Sequence, residues 1–111
     1  FIGQLGNGVP SKNHYNRGEL FFHSNGDLIF CGINKNSREI QIVRMDINGN
    51  VIWSKLFHEG FAGEYSKMQG IESSDGNLIF SHRYQPTFNS VRSEKNGLFK
   101  VDINDGTKLL P

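Results

Sequence analysis

Hydrophobic and polar residues alternate in short runs along this chain, and clusters of Gly, Asn, Asp and Ser separate the runs. A period of two is typical of β-strands, because successive side chains point to opposite faces of a sheet. No helix is evident. The pattern predicts strands at residues 19–23, 28–33, 40–46, 51–57, 65–71, 78–82, 97–102 and 107–110.

Two predicted strands differ from the others in their surroundings. The third, 40–46, carries apolar residues on both faces near its end, which predicts that it is covered on both sides. The sixth, 78–82, is followed by a long predicted loop, 84–96, which contains Pro86. The corresponding loop of the first half, 34–38, is short and polar.

Most of the predicted turns contain an Asx-Gly pair. Such pairs tolerate positive φ at both central positions of a type I′ turn, whose twist matches that of the flanking strands. They predict a meander of hairpins. The pairs are Asn7-Gly8, Asn25-Gly26, Asn48-Gly49, Asp75-Gly76, Asn96-Gly97 and Asp105-Gly106.

The chain contains an internal repeat. The sequence from Asn25 to Phe30 returns as Asp75 to Phe80, and that from Arg44 to Gly49 returns as Lys100 to Gly106. Two markers in the same order indicate units of about fifty residues, which are typical of propellers and solenoids. We expect one unit at 13–60 and a second at 61–111, with 1–12 as a lead-in or the end of a preceding unit.

The turn before the last strand of each unit carries a resemblance to a known family. The segment from Met45 to Trp53 resembles the quinoprotein-like and related bacterial β-propeller repeats, in which an Asp-x-x-x-Gly-type turn is followed by a tryptophan. Val101 to Lys108 matches the first half of this motif, and Leu110 stands where the tryptophan would be. The resemblance implies an all-β fold of four-stranded antiparallel blades, with Trp53 packed between neighbouring blades.

Two blades are fewer than a closed propeller contains, since closed propellers have about four to eight. A pair of blades would expose large apolar faces, which soluble monomers seldom tolerate. We therefore expect this chain to belong to a larger propeller or to associate with copies of itself.

Composition agrees with the all-β prediction and restricts the partners. Hydrophobic residues make up 36% of the chain, which contains nine Phe, thirteen Gly and a single alanine, Ala62. The net charge is +1 without a basic run, so the sequence gives no indication of nucleic-acid binding. No apolar stretch is long enough to predict a membrane span. The resemblance to bacterial propeller repeats implies a bacterial protein, and we expect it to be secreted or displayed at the cell surface.

The sequence predicts no catalytic residue, metal site or cofactor, and nothing in it supports a pyrroloquinoline quinone site. Cys31, alone in a predicted strand, is expected to be buried. Asp46, Asn48 and Asn50 have the spacing of calcium-loop ligands, but Phe57 stands where the loop would need Glu, so a hairpin turn is favoured. The four histidines have no metal-ligand spacing.

The candidate ligand-binding residues are aromatic and basic residues in or beside segments that differ between the two units. Flat apolar faces beside guanidinium donors suit sugars or peptide side chains. The sequence thus predicts a non-catalytic binding or scaffold module for a glycan or protein surface. The alternatives are a fragment of a propeller hydrolase or oxidoreductase, or a purely structural self-assembling unit. The candidate residues are His14, Tyr15, Arg83, Tyr84, Phe88 and Arg92.

Overall fold

The computed structural model describes residues 15–34, 39–57, 63–88, 91–92 and 95–110. These residues form strands and turns without a helix, so none of them provides a helix able to cross a membrane. The strands are β1 (Tyr15–Phe22), β2 (Leu28–Asn34), β3 (Glu39–Met45), β4 (Val51–Phe57), β5 (Gly63–Glu72), β6 (Leu78–Phe88), β7 (Val91–Arg92), β8 (Lys95–Val101) and β9 (Lys108–Leu110).

The strands form two antiparallel sheets. The first has the order β1-β2-β3-β4, and the second has the order β5-β6-β8-β9, with β7 paired to the end of β6. Each sheet is thus a four-stranded meander in which every strand pairs with the next along the path. The predicted all-β antiparallel fold is confirmed.

The prediction of a loop at 84–96 is wrong. β6 continues to Phe88, and β8 already begins at Lys95. Pro86 has no N–H to donate, so proline is unusual inside a central strand. The strand continues because Pro86 stands opposite Gly63, the first residue of β5, at the end of the ladder.

Asn96-Gly97 is not a turn, because it lies inside β8. Gly97 pairs with His82 of β6, and a Cβ on Gly97 would lie 2.1 Å from Cε1 of the His82 ring. The glycine is therefore required by close packing within the sheet and not by a change of chain direction.

The four hairpin turns that contain a positive-φ glycine are longer than a type I′ turn. Three of them have three-residue loops, and the turn at Gly106 has a four-residue loop, because Asp102 N donates to Thr107 O and Gly106 N donates to Asp102 O, both at 2.8 Å. In the first, Gly26 N donates to His23 O (2.9 Å) and His23 N donates to Asp27 O (2.8 Å), which defines a three-residue loop with the glycine last. Such loops need positive φ only at that last position. The prediction of two-residue type I′ turns is therefore wrong. The prediction of hairpins is confirmed at these four turns, and Asn7-Gly8 lies outside the described residues. Positive φ occurs at Gly26, Gly49, Gly76 and Gly106.

The two faces of each sheet can be named from the repeated Leu-Ile-Phe sequence. Leu28 and Phe30 lie on one face of the first sheet and Ile29 on the other, because side chains alternate along a strand. We call these the Leu-Phe face and the Ile face, and we use the same names in the second sheet for the faces of Leu78 and Ile79. The Ile face of the first sheet packs against the Leu-Phe face of the second.

The main core lies between these two faces. The first sheet contributes residues of its Ile face, and the second contributes residues of its Leu-Phe face. The aromatic rings are in contact across the boundary: the centroids of Phe57 and Phe99 are 5.2 Å apart, and those of Phe21 and Phe80 are 6.4 Å apart. The core residues are Ile29, Cys31, Ile33, Ile40, Ile42, Trp53 and Phe57 with Met68, Leu78, Phe80, Phe99 and Val101.

The Leu-Phe face of the first sheet is buried at its centre as well. Leu28, Phe30, Val43 and Met45 form a second cluster there, with Val51 packed against it. β3 is consequently buried on both faces, as the sequence predicted.

Candidate functional site

The candidate ligand residues lie at one edge of the sheets, as far as the structure describes them. This edge runs across the strand ends and not along an outer strand. We call it the rim, and it is where β1 and β5 begin and where β2 and β6 end. Tyr15 begins β1 and pairs with Asn34 at the end of β2. In the second sheet, Tyr84 pairs with both Tyr65 and Lys95. The turns that contain Gly26, Gly49, Gly76 and Gly106 lie at the opposite ends of the strands, which we call the turn edge.

The β6–β7 hairpin extends the rim of the second sheet. Thr87 pairs with Arg92, and Phe88 pairs with Val91. The corresponding connection in the first sheet, between β2 and β3, has only residues 35–38. The extension brings the backbones of three predicted residues, Tyr84, Phe88 and Arg92, onto one ribbon.

The remaining predicted ligand residues are Arg83, His14 and Tyr15. Arg83 is exposed on β6, one residue before the ribbon. His14 lies outside the described residues, and for Tyr15 the backbone position alone is described. The backbone therefore gathers all the described candidates at the rim.

Polar contacts at the turn edge join the two sheets. Ser24 donates from its backbone N to Glu72 Oε1 (2.7 Å) and from its hydroxyl to Oε2 (2.6 Å). These hydrogen bonds lower the pKa of Glu72 below its usual 4.5. His23 Nδ1 accepts from Asn25 N (3.1 Å) while Nε2 donates to Gly76 O (2.7 Å).

A second group of polar contacts converges on one carbonyl of the second sheet. Arg44 Nη1 donates to Ile103 O at 2.9 Å, and Trp53 Nε1 donates to the same oxygen at 2.8 Å. The guanidinium of Arg44 is held by Asp27, whose Oδ2 lies 2.6 Å from Nη2. Trp53 therefore packs between the two sheets, as predicted.

Sequence reasoning missed the role of Arg44. The signal was available, since Arg44 follows Ile40 and Ile42 at every second position of β3 and so shares their buried face. An arginine whose side chain lies on a buried face needs a hydrogen-bond acceptor or a carboxylate at the boundary of the core. Its partner, the Ile103 carbonyl, comes from the second repeat and could not be identified from local sequence.

Cys31 is fully buried, as predicted. Burial raises the pKa of its thiol to about 12, and the charge of Glu19 contributes in the same direction. The group therefore stays protonated at neutral pH and is a poor nucleophile, since the thiolate is the reactive form. Cys31 acts as a small apolar core residue.

The Asp46 carboxylate holds its own turn. It accepts from Asn48 N and from Asn50 N, both at 2.9 Å, and from Asn50 Nδ2 at 3.0 Å. These donors lower the pKa of Asp46. The hairpin interpretation of these residues is confirmed. Among the described residues, no three His, Cys, Asp or Glu side chains are grouped so that they could hold a metal ion.

No family model, curated protein or solved structure matches this chain. The features that bear on function are therefore the repeat, the packing of one sheet on the next and the extended hairpin at the rim.

Proposed function

We propose that this chain is a non-catalytic binding or scaffold module built of β-propeller blades, with a glycan or a protein surface as its ligand. The observation that carries the proposal is the β6–β7 hairpin, which extends the rim of one sheet beyond a shared four-stranded plan.

The sheet packing supports the assignment to propeller blades. Each sheet is a four-stranded antiparallel meander, and the Ile face of one packs on the Leu-Phe face of the next. Trp53, on the last strand of the first sheet, donates a hydrogen bond to Ile103 O in the turn before the last strand of the second sheet. Radially packed four-stranded sheets are the propeller plan.

The contrast between core and rim supports a binding role. The repeated residues occupy core strands and glycine turns, whereas the units differ at the rim in length and composition. Rigid scaffolds commonly carry their binding residues on such variable segments. The ribbon, together with Arg83 just before it, supplies two arginines, a tyrosine and a phenylalanine, which combine stacking surfaces with hydrogen-bond donors.

Binding to immobilised glycan and peptide arrays tests the proposal. We expect specific binding that weakens by about tenfold or more in the variants Arg83→Ala and Phe88→Ala, because each removes a contact on the ribbon. Ile47→Ala is the matched control, since Ile47 is exposed at the turn edge, away from the rim. Binding that is insensitive to the rim variants would overturn the proposal. So would the absence of any hit at protein concentrations up to about 100 µM.

A further inference from the structure

The Ile face of the second sheet is open, whereas the Ile face of the first is buried. Ile71 and Leu98 are each 61% exposed, while Ile29 and Ile42 on the first sheet are fully buried. A shallow depression of ≈ 230 Å³ lies on the open face, lined by Gln69, Gly70, Ile71, Ile79, Ser81 and Leu98. In the repeat, this open face corresponds to the Ile face of the first sheet, which packs against the second sheet.

The repeat makes the two Ile faces chemically comparable. Apolar, hydrogen-bond-accepting and cationic residues recur at corresponding positions. The corresponding pairs are Phe21 and Ile71, Ile29 and Ile79, Ile42 and Leu98, Glu19 and Gln69, and Arg44 and Lys100.

Within the chain, β5 of the second sheet packs close against β1 of the first. A Cβ on Gly70 of β5 would lie 2.8 Å from the Phe21 ring, so the glycine leaves space for that ring. Glu19 Oε1 accepts a hydrogen bond from Gly70 N at 2.9 Å. A neighbour on the open face would place its own first strand against β5 in the same way.

The chain itself has a first strand whose outer side is exposed. On the Leu-Phe face of β1, Leu20 is 37% exposed and Phe22 is 66% exposed. Leu20 corresponds to Gly70 in the repeat. Within the chain, Phe21 of β1 packs against Gly70 of β5. In the proposed contact, Ile71 replaces the larger Phe21 and Leu20 replaces the smaller Gly70, so the strand of the neighbour supplies more of the side-chain volume and the Ile face supplies less.

We propose that the β5 side of the open Ile face binds a second copy of this chain, with β1 of the second copy packed against β5 of the first. Ile71 contacts Leu20 of the second copy, and the Gln69 amide oxygen accepts from Leu20 N as Glu19 accepts from Gly70 N. The centre of the Leu-Phe face is already buried within each chain, so the contact is confined to its β1 margin. The inference rests on sheet packing and does not depend on ligand binding at the rim.

The proposed contact joins two different surfaces, so each copy has one surface of each kind. Such a heterologous contact propagates into a ring or a filament, whereas a contact between two identical faces stops at a dimer. The two arrangements therefore predict different behaviour of single-face variants.

Sedimentation velocity of the full chain and of two charge variants tests this inference. We expect the wild type to sediment with a mass above that of the 12.6 kDa chain as concentration rises. Ile71→Lys and Phe22→Lys should each weaken self-association by about tenfold or more, because each puts an unpaired ammonium into an apolar contact. Both substitutions are at exposed positions, and circular dichroism verifies that the variants fold.

Mixing the two variants gives the decisive result. Ile71→Lys keeps an intact β1 surface and Phe22→Lys keeps an intact Ile face, so an equimolar mixture should form a dimer that grows no further. Ile52→Lys is the matched control and should associate like the wild type. Ile52 is 46% exposed, and its counterpart Leu109 lies outside the core between the sheets.

Three results would overturn the inference. A wild-type chain that stays monomeric at all concentrations would show that the face does not bind a copy. Dimerisation of Phe22→Lys alone would indicate that two Ile faces meet each other. Association that survives all the variants would indicate pairing through strand edges instead.

Discussion

Gly106 meets two separate requirements at one position. Its φ is +77°, in the left-handed region, where residues with a Cβ are disfavoured. In addition, a Cβ there would lie 2.8 Å from Cε3 of Trp53 and 2.8 Å from Cγ of Lys55. Gly49 also has positive φ, but a Cβ there would meet nothing within 4 Å. The pair therefore separates the effect of backbone conformation from that of packing.

Gly106→Ala should destabilise the protein more than Gly49→Ala. The unfavourable φ costs about 1–2 kcal/mol at either position. Crowding against Trp53 should add about 1–3 kcal/mol at Gly106 alone. Urea unfolding of the two variants measures the difference. Equal losses would mean that the indole moves aside at no cost.

At the scale of elements, the turn edge joins the two sheets through a carboxylate. Glu72, the last residue of β5, accepts two hydrogen bonds from Ser24 in the β1–β2 turn. Its pKa is lower in the folded protein than the usual 4.5. The ionised form is therefore favoured by folding, and the contact stabilises the protein above about pH 4.5. The stabilisation is lost as the pH falls through the folded-state pKa.

Glu72→Gln should therefore lower the free energy of unfolding at pH 7, and the deficit should shrink as the pH falls below about 4.5. Chemical denaturation of both proteins across this pH range measures the effect. Glu39→Gln makes the same charge change at the start of β3 and should not show a deficit of this kind. A Glu72→Gln deficit that is constant with pH would contradict the assignment to the ionised carboxylate.

The strand bounds also show how much of the secondary structure can be predicted from local sequence patterns. The bounds of β4 were predicted correctly, because Asn48-Gly49 marks the turn before it and apolar residues continue to Phe57. The end of β6 was predicted incorrectly, because Pro86 is a local signal against a strand. Backbone pairing with β5 and β8 on either side of β6 outweighs that signal. The described candidate residues lie together at the rim, but the sequence did not predict this grouping, because the ribbon that joins them was missed for the same reason.

At the scale of the molecule, one core is shared by the two sheets. Its residues come from the Ile face of the first sheet and the Leu-Phe face of the second, and neither sheet buries its side of this core alone. Cys31 and Trp53, the only cysteine and the only tryptophan, both lie in it. They provide two natural probes of the same contact.

Unfolding should therefore be a single cooperative transition. We expect Trp53 fluorescence, far-ultraviolet circular dichroism and thiol labelling of Cys31 to give the same midpoint in urea. Cys31 should be unreactive before the transition, because its thiol is buried and its pKa is raised to about 12. A change in Trp53 fluorescence at lower urea than the loss of strand signal would show that the sheets separate before they unfold.

The sequence by itself determined the all-β class, most of the strands, four of the hairpin turns and the repeat, because these depend on alternation and on turn residues within a few positions of one another. It could not determine which face of each sheet meets the other. Leu28, Ile29 and Phe30 are all apolar, so the alternation that identifies a buried face is absent there. Only the tertiary structure decided that the Ile face of one sheet packs on the Leu-Phe face of the next. The residues that fix this arrangement, such as Trp53 and Ile103, are about fifty positions apart. They become neighbours only when both sheets have formed and bury their shared core.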